Sequence, residues 1–294
     1  MMQMRIYKWG ELMQFENLFL RCWLCRGFNS ASGRHLANYL KQHATIDVQQ
    51  LPTICKIMPR FHATFIADFK HVAWQKYCQY PFITFNSPFY PPRLFEIYDA
   101  PPVLFYQGNI KLLAKPTMVI VGARQANGYT CEVLHNLIPH LVNHNVSIIS
   151  GLASGADSYA HQITLQNHGN TIAVIGTGLN CYYPQQNCLL QQQIAREGLL
   201  LSEYLPDVTA RRYHFPQRNR IIAGLCHTLL ITQARQRSGS LITANLALED
   251  NRNVMAVPGN INLPLSQGCN ELIDAGATPY LGPQQVLESL KFFS

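Results

Sequence analysis

The chain has 294 residues, 48% of them hydrophobic and 13% charged, with a formal net charge of +7. That length and apolar content exclude a disordered arm and leave room for one large domain and a smaller one. The positive balance points to an acidic partner. No uninterrupted apolar run approaches the ~20 residues needed to cross a bilayer, and the N-terminus has no apolar core ahead of a small-residue cleavage site. Neither a membrane anchor nor a signal peptide is therefore expected. The nine cysteines are scattered apart from Cys22 and Cys25. They fit reduced, buried thiols in a cytoplasmic protein better than a zinc ribbon or a disulfide framework.

Residues 1–79 read as a small helical domain. Leu12, Phe15, Phe19 and Trp23, then Leu36, Tyr39 and Leu40, recur at helical spacing, and Ser30, Ser32 and Gly33 break the pattern where a second helix can begin. Modules of this size bind nucleic acid or protein, or simply pack and link. From 80 to 115 prolines punctuate short aromatic and β-branched runs, which suggests a connector of extended segments and turns leading into the next domain.

The remainder, 116–294, alternates regularly. Strands are expected at Met118–Val121, Ser147–Ile149, Thr171–Ile175, Leu199–Leu201, Thr228–Thr232 and Val254–Val257. Helices are expected up to Asn143, from Gly155, over Gln186–Arg196, Ile221–Leu225 and Ser240–Glu249. Continuous apolar strands alternating with helices specify a parallel sheet covered on both faces, an α/β, extended Rossmann-like, doubly wound architecture. In such sheets ligands lie beyond the carboxyl ends of the strands.

Two features converge on that edge. Between Asp207 and Glu249 there is no acid, yet the window holds Arg211, Arg212, Arg218, Arg220, Arg235 and Arg237. No lysine occurs between Lys115 and Lys291. Arginine grips phosphate oxygens through a planar fork of donors, and Tyr213 and Phe215 lie among these arginines as platforms for bases. The strands VIVG, SIIS, IAVIG and LLIT also run into loops rich in glycine and small hydroxyl residues, where backbone N–H groups and helix N-termini can approach an anion. Arg124 sits where it can reach over the first loop.

Competing chemistries find less support. The first loop, GARQANG, is not GxGxxG, and the second strand ends without the acid that holds a ribose, which argues against a dinucleotide. GxxxxGK[ST] is absent, and GLASGAD is not a nucleophile elbow. Asp157 and His161, four apart on one helix face, have a spacing open to two metal ligands, although a helix-terminal acid and a packed histidine explain them more simply. No catalytic residue, metal or cofactor is expected.

The segments YPPRLFEIYDAPPVLFYQGN, VIVGAR, ISGLASGADSYAH, TIAVIGTGLNCYYPQQN, FPQRNRIIAGL, SGSLITANLALEDNR and VPGNINLPLSQGCNELIDAGA, in that order from Tyr90 to Ala277, resemble the bacterial DNA-processing protein A (DprA, also called Smf) family. The helical region is similar in length and texture to that family's sterile-alpha-motif-like (SAM-like) domain. The resemblance implies a non-enzymatic, dimeric mediator that binds single-stranded DNA and helps load the recombinase RecA during natural transformation. The family's VGxR arginine falls on Arg124, and its FPxRNR segment on Phe215, Pro216, Arg218, Asn219 and Arg220. The expected DNA-binding set is Gly122, Arg124, Gly151, Ser154, Arg212, Phe215, Arg218, Asn219, Arg220, Ser238, Gly239 and Ser240. Arg124, Arg218 and Arg220 are expected on phosphates. Gln233 stands where an acid is usual in the family, and Gln185 where a lysine often follows. The winged helix that ends some relatives is expected to be missing.

Two alternatives stand beside this reading. Related Rossmann-like enzymes hydrolyse nucleoside monophosphates with a PGGxGTxxE loop, but the corresponding SGSLITANLALE lacks the paired glycines. A scaffold that binds no DNA leaves the arginine window unexplained. Near the end of the chain Leu272, Ile273, Val286, Leu287 and Leu290 suggest more apolar surface than terminal helices leave in water. A homodimer formed through Leu272 and Ile273 is expected.

Overall fold

A computed structural model describes residues 9–43 and 45–291, with side chains from Phe15 to Leu290. The first eight residues, part of the leader reading, and the side chain of Leu12 lie outside the described residues. The chain forms two compact units, one of residues 1–90 with 98–105, the other of 91–97 with 106–294.

In the first unit apolar residues at helical spacing form α1 (Trp9–Trp23) and α2 (Ser30–Leu40), then a short α3 (Leu51–Ile54) and α4 (His62–His71). Asn29 starts α2 by accepting from Ser32 N–H at 3.0 Å, which satisfies one of the amides left open at a helix start. Phe19, Leu20, Leu36, Leu40, Leu51 and Phe65 are buried together in this unit. A strand, β1 (Phe82–Thr84), pairs antiparallel with the start of β2 (Val103–Gly108), Phe82 opposite Phe105.

The second unit begins with α5 (Pro92–Glu96) and continues, after β2, with β3 (Thr117–Val121), α6 (Gly128–Asn143), β4 (Ser147–Ser150), α7 (Ala156–Gln166) and β5 (Thr171–Val174). Then come α8 (Cys188–Glu197), β6 (Leu199–Ser202), α9 (His214–Leu225), β7 (Thr228–Ile231), α10 (Gly239–Glu249) and β8 (Asn253–Ala256). It ends with α11 (Pro264–Asp274), β9 (Thr278–Pro279) and α12 (Pro283–Lys291). Strands β6, β5, β4, β3, β7, β8 and β9 lie side by side in that order, every pair parallel. Because β3–β7 are buried throughout, they read in sequence as unbroken apolar runs. Met118 and Ile120 of β3 join one core with Leu134, Leu137, Ile138 and Leu141 of α6. Strand alternation turns Val119 and Val121 to the other face, against which α9 packs. The doubly wound, mostly parallel sheet expected from the sequence is the architecture observed.

Two expectations need correction. First, α9 starts at His214 rather than near Ile221, so FPQRNR is helical and not a loop. Second, Leu272, Val286, Leu287 and Leu290 are at most 8% exposed. The last three, on α12, pack into the core beside α6, so the terminal helices spend this apolar surface on their own chain. Ile273 is half-buried. Among the described residues no helix is long and apolar enough to cross a membrane.

Candidate nucleic-acid interface

Strands are added on one side of β3 as far as β6, after which the chain crosses to β7 on the other side. Loops leaving the carboxyl ends of two such central strands diverge and open a crevice. A cavity of about 720 Å³ lies there, lined by the loops after β3 and β7, by α9 and by the start of α10. Among the expected site residues, Gly122, Arg124, Arg212, Phe215, Arg218, Asn219, Ser238, Gly239 and Ser240 line it, whereas Gly151, Ser154 and Arg220 are not among its lining residues.

Three of the lining arginines are exposed: Arg124 after β3, Arg212 before α9 and Arg235 after β7. Among the described residues none of the three is held in an ion pair. Arg124 lies 6.0 Å above the Phe215 ring, and Tyr183 packs at 5.0 Å from the same ring while remaining 45% exposed. Arg235 and Tyr183 were missing from the expected set. Each had a signal, Arg235 in the acid-free window and Tyr183 in the CYYP loop. At the start of α10 the Ser238 side chain makes no capping bond and pairs with Ser240 Oγ at 3.0 Å. Asn219 Nδ2 donates to Gly239 O at 3.4 Å, tying α9 to this helix start. The groove thus combines unpaired arginines, two aromatic faces and a helix N-terminus, the elements that bind a phosphate backbone with exposed bases.

Arg218 and Arg220 are placed differently. Arg218 is 5% exposed, and its Nη1 donates to Gly151 O at 2.5 Å and Val174 O at 2.6 Å. Beneath it the Asp157 carboxylate accepts from Gly151 N–H at 3.2 Å and Ala153 N–H at 3.3 Å. Burial pushes the Asp157 carboxyl up from its ordinary value, against the opposing pull of Arg218 and the two amides. Gly151 is held at both its N–H and its C=O, and a Cβ there would collide with the Arg218 guanidinium. Arg220 Nη2 reaches both carboxylate oxygens of Glu203 at 2.6 Å. Of the three guanidiniums expected on phosphate, those of Arg218 and Arg220 are therefore engaged by the protein itself. Ser154 Oγ accepts from Gln186 Nε2 at 2.7 Å. The buried Gln233, in the position usual for an acid, accepts through Oε1 from Asn127 N–H at 3.2 Å and Thr130 Oγ1 at 2.9 Å, joining the loops after β3 and β7.

His161 is wholly buried, and its Nδ1 lies 2.6 Å from Thr171 Oγ1. Because Thr171 donates to Ile148 O, the network assigns the proton to Nδ1 and leaves Nε2 a bare acceptor without a partner. Burial and the nearby Arg218 lower its pKa to about 3. The unfolded chain takes up this proton near pH 6.5 and the folded chain does not. The associated stability is thus complete above pH 6.5 and is lost as pH falls toward 3. His161→Asn should remove this contribution, so that the stability gap to wild type narrows by about 2 kcal/mol between pH 6.5 and pH 5. Parallel denaturation curves for the two proteins across that range would contradict the assignment.

The fold and groove define a doubly wound α/β protein with an arginine-lined groove at its switch point. The chain belongs to the DNA recombination-mediator protein A family, whose model matches residues 81–291. It is 45% identical over 228 residues to the DNA processing protein DprA of Streptococcus pneumoniae, covering 78% of this chain and 80% of that protein. A crystal structure of the S. pneumoniae protein superposes with a TM-score of 0.82 at 36% identity, covering 98% of each chain. DNA processing protein A of Helicobacter pylori, whose structure concerns its mode of binding single-stranded DNA, superposes with a TM-score of 0.65 at 30% identity. It covers 72% of this chain and 97% of its own.

Proposed function

We propose that the chain binds single-stranded DNA in the switch-point groove and acts in the cytoplasm as a non-catalytic mediator of natural transformation and recombination, presenting incoming strands to RecA. The observation that carries this reading is the convergence of Arg124, Arg212 and Arg235 on one cavity beside the Tyr183–Phe215 pair. Phosphate contacts from the arginines would supply salt-dependent affinity, and the aromatic pair would hold a base without strong sequence preference. Fluorescence anisotropy with a labelled oligothymidine tests the reading, with nucleotide hydrolysis assayed in parallel. Binding without turnover is expected. Turnover of nucleoside monophosphate without oligonucleotide binding would replace it with the enzymatic alternative.

A homodimer belongs to the same proposal, with its contact moved off Leu272. That residue is buried within its own chain, whereas Ile261 is 78% and Leu263 49% exposed in the loop before α11. Two copies meeting through this loop and the half-buried Ile273 would place two grooves on one assembly and add avidity for long strands. Light scattering at micromolar concentration should give a dimer mass for wild type and a monomer mass for Ile261→Arg with Leu263→Arg. A dimer unmoved by that pair of changes would rule out this interface.

A further inference from the structure

The positive charge of the chain is unevenly placed. Residues 1–90 hold ten Lys and Arg against four Asp and Glu, whereas the rest of the chain holds thirteen against twelve. Residues 1–90 therefore carry +6 of the net +7, and the rest of the chain is close to neutral.

Within that unit two turns pack on each other. In the turn from α1 to α2, Gly27 has φ +89°, and a Cβ there would meet Ile57 Cγ2 at 3.2 Å and Phe61 Cβ at 3.4 Å. In the turn from α3 to α4, Lys56 has φ +49°, and Ile57 and Phe61 follow it. Arg26, Lys56 and Arg60 adjoin the three residues of this junction, and all three are exposed. Arg26 is paired with Asp68 at 3.1 Å. Arg60 lies 4.8 Å from the Phe61 ring centre, and among the described residues neither Lys56 nor Arg60 is held in an ion pair. His35 of α2 is close enough to Lys56 that burial, and then the lysine charge, hold its pKa below the ordinary value. The large apolar side chains exposed in this unit, among the described residues, are Met58, Phe89 and Tyr98, of which Met58 alone lies in the junction turns. At the junction itself the aromatic ring, Phe61, is half-buried with Arg60 over it, so what this surface offers is cations rather than an open stacking face.

We propose that the Gly27–Ile57–Phe61 junction is a second nucleic-acid contact, in which Lys56 and Arg60 grip the backbone phosphates of duplex DNA. Phosphate contacts position a protein on DNA without reading sequence. A surface of cations without an open stacking face suits a partner whose bases are already paired. This contact stands apart from the groove reading, and the two fail separately.

The test uses the full-length protein with a labelled mixed-sequence duplex, titrated over a range of salt. Lys56→Asn with Arg60→Gln should weaken duplex binding about tenfold and reduce the slope of log K against log salt by about two. Asparagine is chosen because it tolerates the left-handed backbone at position 56. Arg60→Gln alone, in the exposed turn Pro59–Phe61, should give a smaller loss in the same direction, and Arg60→Lys should retain binding. A short oligothymidine should bind all these variants as it binds wild type. Duplex affinity and slope unchanged in the folded double variant would overturn the proposal, as would a wild-type protein that binds no duplex. If oligothymidine does not bind wild type but duplex binding still responds to Lys56 and Arg60, the groove reading falls and this one stands.

Discussion

Replacing Arg218 by leucine is expected to destabilise the second unit by about 3–5 kcal/mol, because two buried carbonyls lose their hydrogen-bond donor at about 1–3 kcal/mol each. Leucine would leave Asp157 buried without its cation, and the Gly151 and Val174 carbonyls would lose their shared donor. In a protein of this size the melting temperature should fall by roughly 10 °C or more. Arg212→Leu, at an exposed position, should leave it almost unchanged. A melting temperature for Arg218→Leu equal to that of Arg212→Leu would show that Arg218 does not hold the loop after β4 in place.

The position of Arg218 also explains how far the sequence could be read. The strands were legible because burial on both faces leaves unbroken apolar runs such as VIV and LLI. The helix carrying FPQRNR was not, because its first two turns are polar and arginine-rich and mask the helical period. On α9, His214, Arg218, Ile222 and Leu225 recur at steps of three and four and are all buried. Register alone therefore placed Arg218 on the inward face. The acid-free window misled in a related way. It is local in sequence, whereas Glu203 after β6 pairs with Arg220 and Asp157 at the start of α7 lies near Arg218. On α12, Val286, Leu287 and Leu290 suggest surplus surface in sequence, although their spacing equally describes the buried stripe they form.

The second large effect concerns binding. Arg124→Ala, Arg212→Ala and Arg235→Ala together should weaken single-stranded DNA binding by roughly 10²–10³-fold near 0.1 M salt, because three phosphate contacts and their released counterions are lost at once. Stability should hold, since the three side chains are exposed and unpaired. Tyr183→Ala should add a smaller loss, about 1–3 kcal/mol if a base stacks on the Tyr183–Phe215 pair. If Arg220→Ala reduced affinity as much as this triple change, the guanidinium bound to Glu203 would have to exchange that partner for phosphate.

The most direct test of the groove is the slope of log K against log salt for oligothymidine, compared between wild type and the Arg124, Arg212 and Arg235 triple variant. Each phosphate contact on a single strand contributes about 0.7 to that slope. The triple variant should therefore show a slope shallower by about two, with an unchanged melting temperature. A folded variant whose slope equals that of wild type would contradict the assignment of these three arginines to the DNA backbone.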